Sequence, residues 1–140
     1  MKVILIITAY LSLSIFNSCK VRSNEDIFSS YVSGQWVMTD INYSNINYKN
    51  YLYSNYIHFR EDKTVSIPET AHYDKQSYSF WHLQMSNEVL NELRINSENK
   101  IFNRSYNVNF IKNDRGKVIR MTLRSDSVSI KLDKLLQNLR

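Results

Sequence analysis

The feature of this sequence that most limits its fold is an alternation of apolar and polar side chains near residue 108. Tyr106, Val108 and Phe110 fall on one face of an extended chain, and Asn107 and Asn109 fall on the other. Because side chains alternate across a β-strand, this pattern predicts a strand with one buried face and one face in water. Similar short runs recur along the chain with polar turns between them, which favours an all-β fold.

Seven further runs predict strands in addition to the one around Val108. Each is short, carries apolar residues at alternate positions and is bounded by turn residues; they cover residues 35–42, 51–60, 64–67, 78–85, 92–96, 117–124 and 128–132. Eight antiparallel strands of this kind close into a barrel, and closure leaves no unpaired edge. Such a barrel is just wide enough to hold side chains or one small ligand.

The clearest turn in the sequence is Asn113-Asp114-Arg115-Gly116, because Asn, Asp and Gly tolerate positive φ. It predicts a hairpin loop before residues 117–124. In the strand that follows, alternation puts Ile119, Met121 and Leu123 on the inner face and Val118 on the outer face.

Two helical segments are predicted outside the strands. Apolar residues at helical spacing in 27–32 indicate a short helical turn that leads into the first strand. Leu132, Leu135, Leu136 and Leu139 then recur at i, i+3, i+4 and i+7, which predicts a short C-terminal helix. Asp133 is the expected N-cap of that helix.

The residues Gly34-Gln35-Trp36 follow the predicted helical turn and open the first strand. Here the chain resembles the lipocalin-like proteins, in which a Gly-x-Trp begins strand one and the indole closes the barrel floor. The resemblance implies one barrel domain over residues 27–140, with an arginine packed on Trp36 through a cation–π contact. Arg120 and Arg124 are the candidates, and the alternative is that both are solvated. The later Thr-Asp-Tyr signature of the central lipocalins is absent.

The N-terminal residues have the pattern of a secretory signal, with Lys2 before an apolar run over 3–16 that ends at Ser18-Cys19. The run is shorter than the roughly 20 residues that cross a bilayer. The segment resembles the signal of bacterial lipoproteins, which carries a small residue directly before an invariant cysteine; Phe16 replaces the aliphatic residue that the family prefers three positions before that cysteine.

The lipoprotein resemblance implies removal of residues 1–18, a thioether-linked lipid on Cys19 and acylation of the new amino group, such as with palmitate. Residues 19–26 then form a flexible tether, and the protein is expected in the cell envelope, anchored to the outer membrane of a Gram-negative bacterium. The alternative is an ordinary secretory signal with an incidental cysteine. Cys19 is the one cysteine of the sequence, so no disulfide can form within the chain.

The sequence shows no recognisable catalytic or metal-binding pattern, and we expect neither an enzyme nor a cofactor. His58, His72 and His82 lack the spacing of a zinc site. No serine lies in a Gly-x-Ser-x-Gly elbow. The net charge of +5 is spread along the chain, so nucleic acid is not an expected partner.

We expect the barrel to bind a small hydrophobic or amphipathic molecule between inward apolar side chains and the tyrosine-rich stretch at residues 42–56. The candidate ligand-binding residues are Trp36, Met38, Tyr53, Tyr56, Phe59, Trp81, Phe110 and Met121. Tyrosine suits this role because it offers a flat apolar ring with one polar tip. The alternative follows from the size of these side chains: they could fill the barrel, which would then be a packed scaffold that binds another protein through its loops, for envelope assembly or inhibition.

Overall fold

The computed structural model describes residues 22–70 and 78–135. One helix, α1, covers Asn24–Val32, and a 3-10 turn covers Lys49–Tyr51. The strands are β1 (Gly34–Tyr43), β2 (Ile46–Asn47), β3 (Tyr56–Phe59), β4 (Thr64–Ser66), β5 (Ser79–Ser86), β6 (Val89–Asn96), β7 (Arg104–Lys112), β8 (Val118–Arg124) and β9 (Val128–Lys134). Across the described ranges, no helix is both long enough and apolar enough to span a membrane.

The strands form a closed antiparallel barrel. Neighbours in the sheet follow the order β1-β3-β4-β5-β6-β7-β8-β9, and β9 pairs back onto β1 from Trp36↔Lys134 to Tyr43↔Val128. The two-residue strand β2 pairs only with the end of β1, so eight of the nine described strands make the barrel. The predicted all-β fold with an eight-stranded barrel is therefore confirmed.

The inner faces of these strands meet in one apolar core. The largest fully buried side chains are Trp36, Trp81, Tyr106, Phe59, Phe102, Met38, Ile41, Ile57, Leu93, Ile95, Met121 and Leu123. Phe59 and Trp81 pack edge to face, with ring centroids 5.8 Å apart. The polar atom of the Trp81 ring is also satisfied, since its Nε1 donates to the backbone oxygen of Arg60 at 3.0 Å.

Helix α1 covers the end of the barrel at which β1 begins. Its Phe28 and Tyr31 rings contact Phe110 on β7, at centroid distances of 6.5 and 5.7 Å. Trp36 Nε1 donates to the backbone oxygen of Val32 at 2.7 Å, which satisfies a carbonyl that the helix end leaves free. The predicted helical turn before β1 is confirmed, and the Trp36 indole lies directly under it.

Helix α1 begins earlier than the sequence suggested. Asn24 to Asp26, predicted as the last part of the tether, form its first turn because Ser23 and Asp26 make a capping box. The Ser23 hydroxyl accepts from Asp26 N at 3.1 Å, and the Asp26 carboxylate accepts from Ser23 N at 3.2 Å. The described part of the tether is thus limited to Arg22 and Ser23; residues 19–21 lie outside the described ranges.

A lysine lies on Trp36 in place of the arginine that the resemblance implied. Lys134 Nζ is 4.9 Å from the centre of the Trp36 ring and donates to the backbone oxygen of Tyr31 at 3.0 Å. Arg120 is instead paired with Asp133, through Nε and Oδ1 at 2.6 Å. Arg124 is exposed on β8. Neither arginine packs on Trp36, so the alternative that both are solvated is confirmed, and the cation–π contact on Trp36 is made by Lys134.

The C-terminal helix was predicted from Leu132 onwards, but β9 continues to Lys134. Asp133 cannot cap a helix there because it is paired within the sheet opposite both Val37 and Arg120. Leu136 and Leu139 lie outside the described residues. The steps of three and four residues from Leu132 to Leu135 and Leu136 predicted a helix that begins at Leu132. Leu132 instead belongs to the alternating, period-two pattern of β9.

The third strand is shorter than the predicted 51–60. Tyr51 ends a 3-10 turn, Leu52 makes an isolated bridge with Thr70, and regular pairing begins only at Tyr56. Tyrosine favours strands, but asparagine does not, and the inward alternation of Ile57 and Phe59 marks only the last part of the predicted range.

Strand β8 differs from prediction at its start. Lys112 pairs with Val118 and Ile111 with Arg120, so Ile119 is the extra residue of a β-bulge. The bulge turns Val118 inward, where it is buried, and leaves Ile119 half-buried. Met121 and Leu123 face the core as predicted. The hairpin turn before β8 is confirmed, with Asn113 Oδ1 accepting from the backbone N–H groups of Arg115 and Lys117 at 3.0 Å each.

Candidate functional site

The structure places the eight predicted ligand-binding residues in three different surroundings. Five of them are enclosed in the core: Trp36, Met38, Phe59 and Met121 are 0 % exposed and Trp81 is 1 % exposed. These side chains pack against other protein atoms and are not reached by solvent. Phe110 is half-buried and packs against Phe28 and Tyr31 of α1.

Tyr53 and Tyr56 lie on the outside of the barrel, 67 % and 55 % exposed. They border a groove of about 370 Å³ on the outer face of β3 and β4. The groove is lined by Tyr53, Ser54, Tyr56, His58, Ser66, Ile67 and Glu69. The structure thus brings two of the predicted tyrosines together on a surface groove and keeps them apart from the enclosed core residues.

Strand alternation explains the floor of the groove. Ile57 and Phe59 of β3 face the core, so Tyr56 and His58 face outward. On β4, Val65 faces the core and Ser66 faces outward. His58 and Ser66 are direct partners in the antiparallel pairing of the two strands, so their side chains stand side by side on the outer face.

The upper part of the groove is built by the segments before β3 and after β4. The N–H of Tyr53 donates to the backbone oxygen of Glu69 at 3.0 Å, and Leu52 and Thr70 form a bridge next to it. These backbone contacts hold the two connecting segments antiparallel. Tyr53 and Glu69 therefore sit next to each other at one end of the groove.

The remaining tyrosines of the tyrosine-rich stretch are occupied with each other. Tyr43 and Tyr48 pack edge to face at 5.7 Å, and Tyr48 and Tyr51 are in tilted contact at 5.0 Å. Arg104 also lies over the Tyr43 ring, 5.6 Å from its centre. These rings stabilise the segment between β1 and β3, whereas Tyr53 and Tyr56 are exposed and line the groove.

The charges around the groove differ from one end to the other. Among the described residues that line it, Glu69 alone is acidic. The pKa of His58 is lowered from its usual value by burial and by the nearby Arg60 guanidinium, against a smaller opposing effect of Asp62. This shift favours the uncharged imidazole. Arg60 donates to Ser66 Oγ at 2.8 Å and Thr64 Oγ1 at 3.4 Å, at the end away from Glu69.

Four residues that line the groove are not among the predicted ligand-binding residues: His58, Ser66, Ile67 and Glu69. Alternation around Ile57 and Phe59 could have placed His58 and Tyr56 on the outer face. The position of Glu69 depends on the backbone contact between residues 53 and 69, which has no local signal in the sequence.

Metal binding finds no support in residues 22–70 and 78–135, where no group of three or more His, Cys, Asp and Glu side chains converges. His58 lines the groove and His82 is exposed on β5. His72 and Cys19 lie outside the described residues.

Comparison with known proteins adds no family to this fold. No family model matches the chain, and no match was found among the curated proteins or among the solved structures.

Proposed function

We propose that this chain is a lipid-anchored cell-envelope protein whose packed barrel binds a small amphipathic molecule in the outer groove between Tyr53 and Tyr56. The observation that carries the proposal is the groove itself, because its volume of about 370 Å³ lies within the range of small-molecule sites. Two tyrosine rings supply apolar contact, and Ser66, His58 and Glu69 supply a few polar groups. Such a mixture is typical of ligand sites.

The anchor in this proposal is a lipid on Cys19, and its support is the leader described above. Ser18-Cys19 closes an apolar segment that follows a positive residue. Helix α1 starts at Asn24, so only a few residues separate the lipid from the barrel. Binding then takes place close to the membrane surface, in the outer membrane of a Gram-negative cell, without a catalytic step.

A second candidate is the packed scaffold that binds another protein. Its support is the group of exposed aromatic side chains beyond the groove: Tyr51 at 56 %, Tyr78 at 89 % and Phe80 at 48 % exposure. Tyrosine and phenylalanine are enriched at protein interfaces. If the barrel is a scaffold, loss of Tyr78 or Phe80 should weaken its binding to a partner protein. If the groove is the site, the same loss should leave the affinity for a small amphipathic molecule unchanged.

The groove can be tested with water-soluble alcohols of about four to eight carbons, each a short apolar chain with one polar tip. We expect saturable shifts of the Tyr53 and Tyr56 ring resonances in the full chain carrying ¹³C-labelled tyrosine. Each buried methylene should tighten binding about fourfold, the equivalent of about 0.8 kcal/mol. Tyr53→Ala and Tyr56→Ala should weaken binding; Tyr78→Ala is the matched control and should not.

The proposal is wrong if the tyrosine shifts do not saturate, or if Tyr78→Ala weakens binding as much as Tyr56→Ala does. An affinity that falls in Met121→Ala while Tyr56→Ala is unaffected would return the ligand to the barrel interior. A far-UV circular dichroism spectrum of each variant should show that the variant is folded, so that a loss of affinity is not caused by unfolding.

A further inference from the structure

We propose that the groove selects ligands with a positively charged ammonium head, held between the rings of Tyr53 and Tyr56 next to the Glu69 carboxylate. This inference rests on the proposed groove function and adds the chemical class of its ligand. An ammonium group is attracted to the face of an aromatic ring, and quaternary ammonium groups are commonly recognised by such rings. Tyr53, Tyr56 and Glu69 are all among the residues that line the groove.

The position of Glu69 carries the argument. The Tyr53 N–H bonds to the Glu69 backbone oxygen at 3.0 Å, so the carboxylate and the ring leave adjacent backbone positions. No ion pair engages the Glu69 carboxylate in the described ranges, where the ion pairs are Arg120–Asp133 and Lys131–Asp40. A negative charge without a partner beside two exposed rings is complementary to a cation.

The other groups of the groove do not oppose a cation at this end. Burial and the Arg60 guanidinium lower the pKa of His58, which favours its uncharged form. Arg60 is the nearby positive group, and its guanidinium is bonded to the hydroxyls of Thr64 and Ser66. Because β3 and β4 are antiparallel and pair His58 with Ser66, Arg60 and Thr64 lie at one end and Tyr53 and Glu69 at the other. The backbone of Glu69 therefore lies at the end of the strand pair opposite to Arg60.

The test compares two probes of the same shape, choline and its uncharged isostere 3,3-dimethylbutan-1-ol, on the full chain by titration of the labelled tyrosine resonances. We expect choline to bind about fivefold tighter or more, within the range of exposed to desolvated cation–π contacts. Glu69→Gln should remove this preference while leaving the affinity for the uncharged probe unchanged. Glu61→Gln, an exposed glutamate in the turn after β3, is the control and should keep the preference.

Substitution of the rings gives an independent readout. Tyr53→Phe keeps the ring and should keep the choline preference, whereas Tyr53→Leu keeps apolar area and should lose it. Equal affinity for the two probes overturns the ammonium inference and leaves the groove function standing. If neither probe causes saturable shifts, both proposals fail. A choline preference that survives Glu69→Gln and Tyr53→Leu together also overturns the inference, because the selecting groups would lie elsewhere.

Discussion

Lys134 lies over the ring of Trp36, with its ammonium 4.9 Å from the ring centre, and joins the last described strand to the first. The same ammonium donates to the Tyr31 backbone oxygen at the end of α1. Trp36 itself donates to the neighbouring carbonyl of Val32. Two side chains from opposite ends of the barrel domain therefore satisfy the final carbonyls of the helix and add to the ring contacts that hold α1 on the barrel.

Replacement of Trp36 by alanine is expected to lower the free energy of unfolding by about 3–5 kcal/mol, because a fully buried aromatic ring and its hydrogen bond are lost. Urea unfolding measures this directly. Phe80→Ala serves as the control, since Phe80 is 48 % exposed and should change stability by less than about 1 kcal/mol. A Trp36→Ala effect as small as that of the control would contradict the role of Trp36 as the barrel floor.

Gly34 should not tolerate alanine. Its φ is +123°, and a Cβ at this position would lie 3.2 Å from Cε of Lys134. We expect Gly34→Ala to destabilise the protein by about 1–3 kcal/mol through backbone strain, with further loss if Lys134 moves off Trp36. Gly116→Ala is the comparison, because Gly116 also has a positive φ, +72°, but open space around it. If urea unfolding shows that Gly34→Ala and Gly116→Ala lose the same free energy of unfolding, the contact between position 34 and Lys134 does not contribute to the loss.

The pair formed by Asp133 and Arg120 should give stability that depends on pH. The pKa of Asp133 is held below its usual range, chiefly by hydrogen bonds from Arg120. A carboxyl with a lower pKa in the folded state stabilises the fold above its unfolded pKa of about 3.9, and this stabilisation is lost as the pH falls through the folded pKa. Asp133→Asn should therefore be less stable than the parent near pH 6.

The parent and Asp133→Asn should become equal in stability at strongly acidic pH, where the carboxyl of Asp133 is protonated. Because the pair is partly exposed, its effect should be much smaller than that of Trp36→Ala. Asp126→Asn, at an exposed position in the turn before β9, is the matched control. A stability difference for Asp133→Asn that is the same at pH 2 and pH 6 would show that the loss is not caused by the charge.

Lipidation of Cys19 is expected to make this residue the N-terminus of the mature protein. Intact-mass spectrometry should find a chain that begins at Cys19 and carries added acyl mass. Cys19→Ser should abolish the added mass and release the protein from the membrane fraction. A mature chain that begins at another residue, or a serine variant that remains in the membrane fraction, would contradict the anchor.

The barrel was predictable from sequence because its strands carry local signals. Alternation at Tyr106, Val108 and Phe110, and the turn residues Asn113 and Gly116, each depend on neighbours a few positions away. The errors arose where the deciding interaction is distant. Lys134 lies on Trp36 because β9 pairs with β1, and Leu132 continues β9 for the same reason.

Part of the candidate site, Tyr53 and Tyr56, could be predicted from the sequence, whereas Glu69 could not. Tyr53 and Tyr56 were selected by residue type, because a tyrosine suits an amphipathic ligand in any location. Their location outside the barrel follows from the alternation of Ile57 and Phe59. Glu69 escaped prediction because only the pairing of the segments around Leu52 and Thr70 brings it to the groove.

The pairing of β1 with β9 has a consequence for the time at which this domain can fold. The strands that close the barrel are the first and the last of the described strands, so nearly the whole stretch from residue 34 to residue 134 must be present before they meet. Contacts between residues far apart in sequence slow folding, because the entropy of a long loop is lost before the contacts form. A chain that emerges N-terminus first holds β1 without β9 until residues 128–134 have emerged. During that interval β1 is open to pairing with other chains, so this barrel should be more prone to misassembly while it folds than a domain built from neighbouring hairpins.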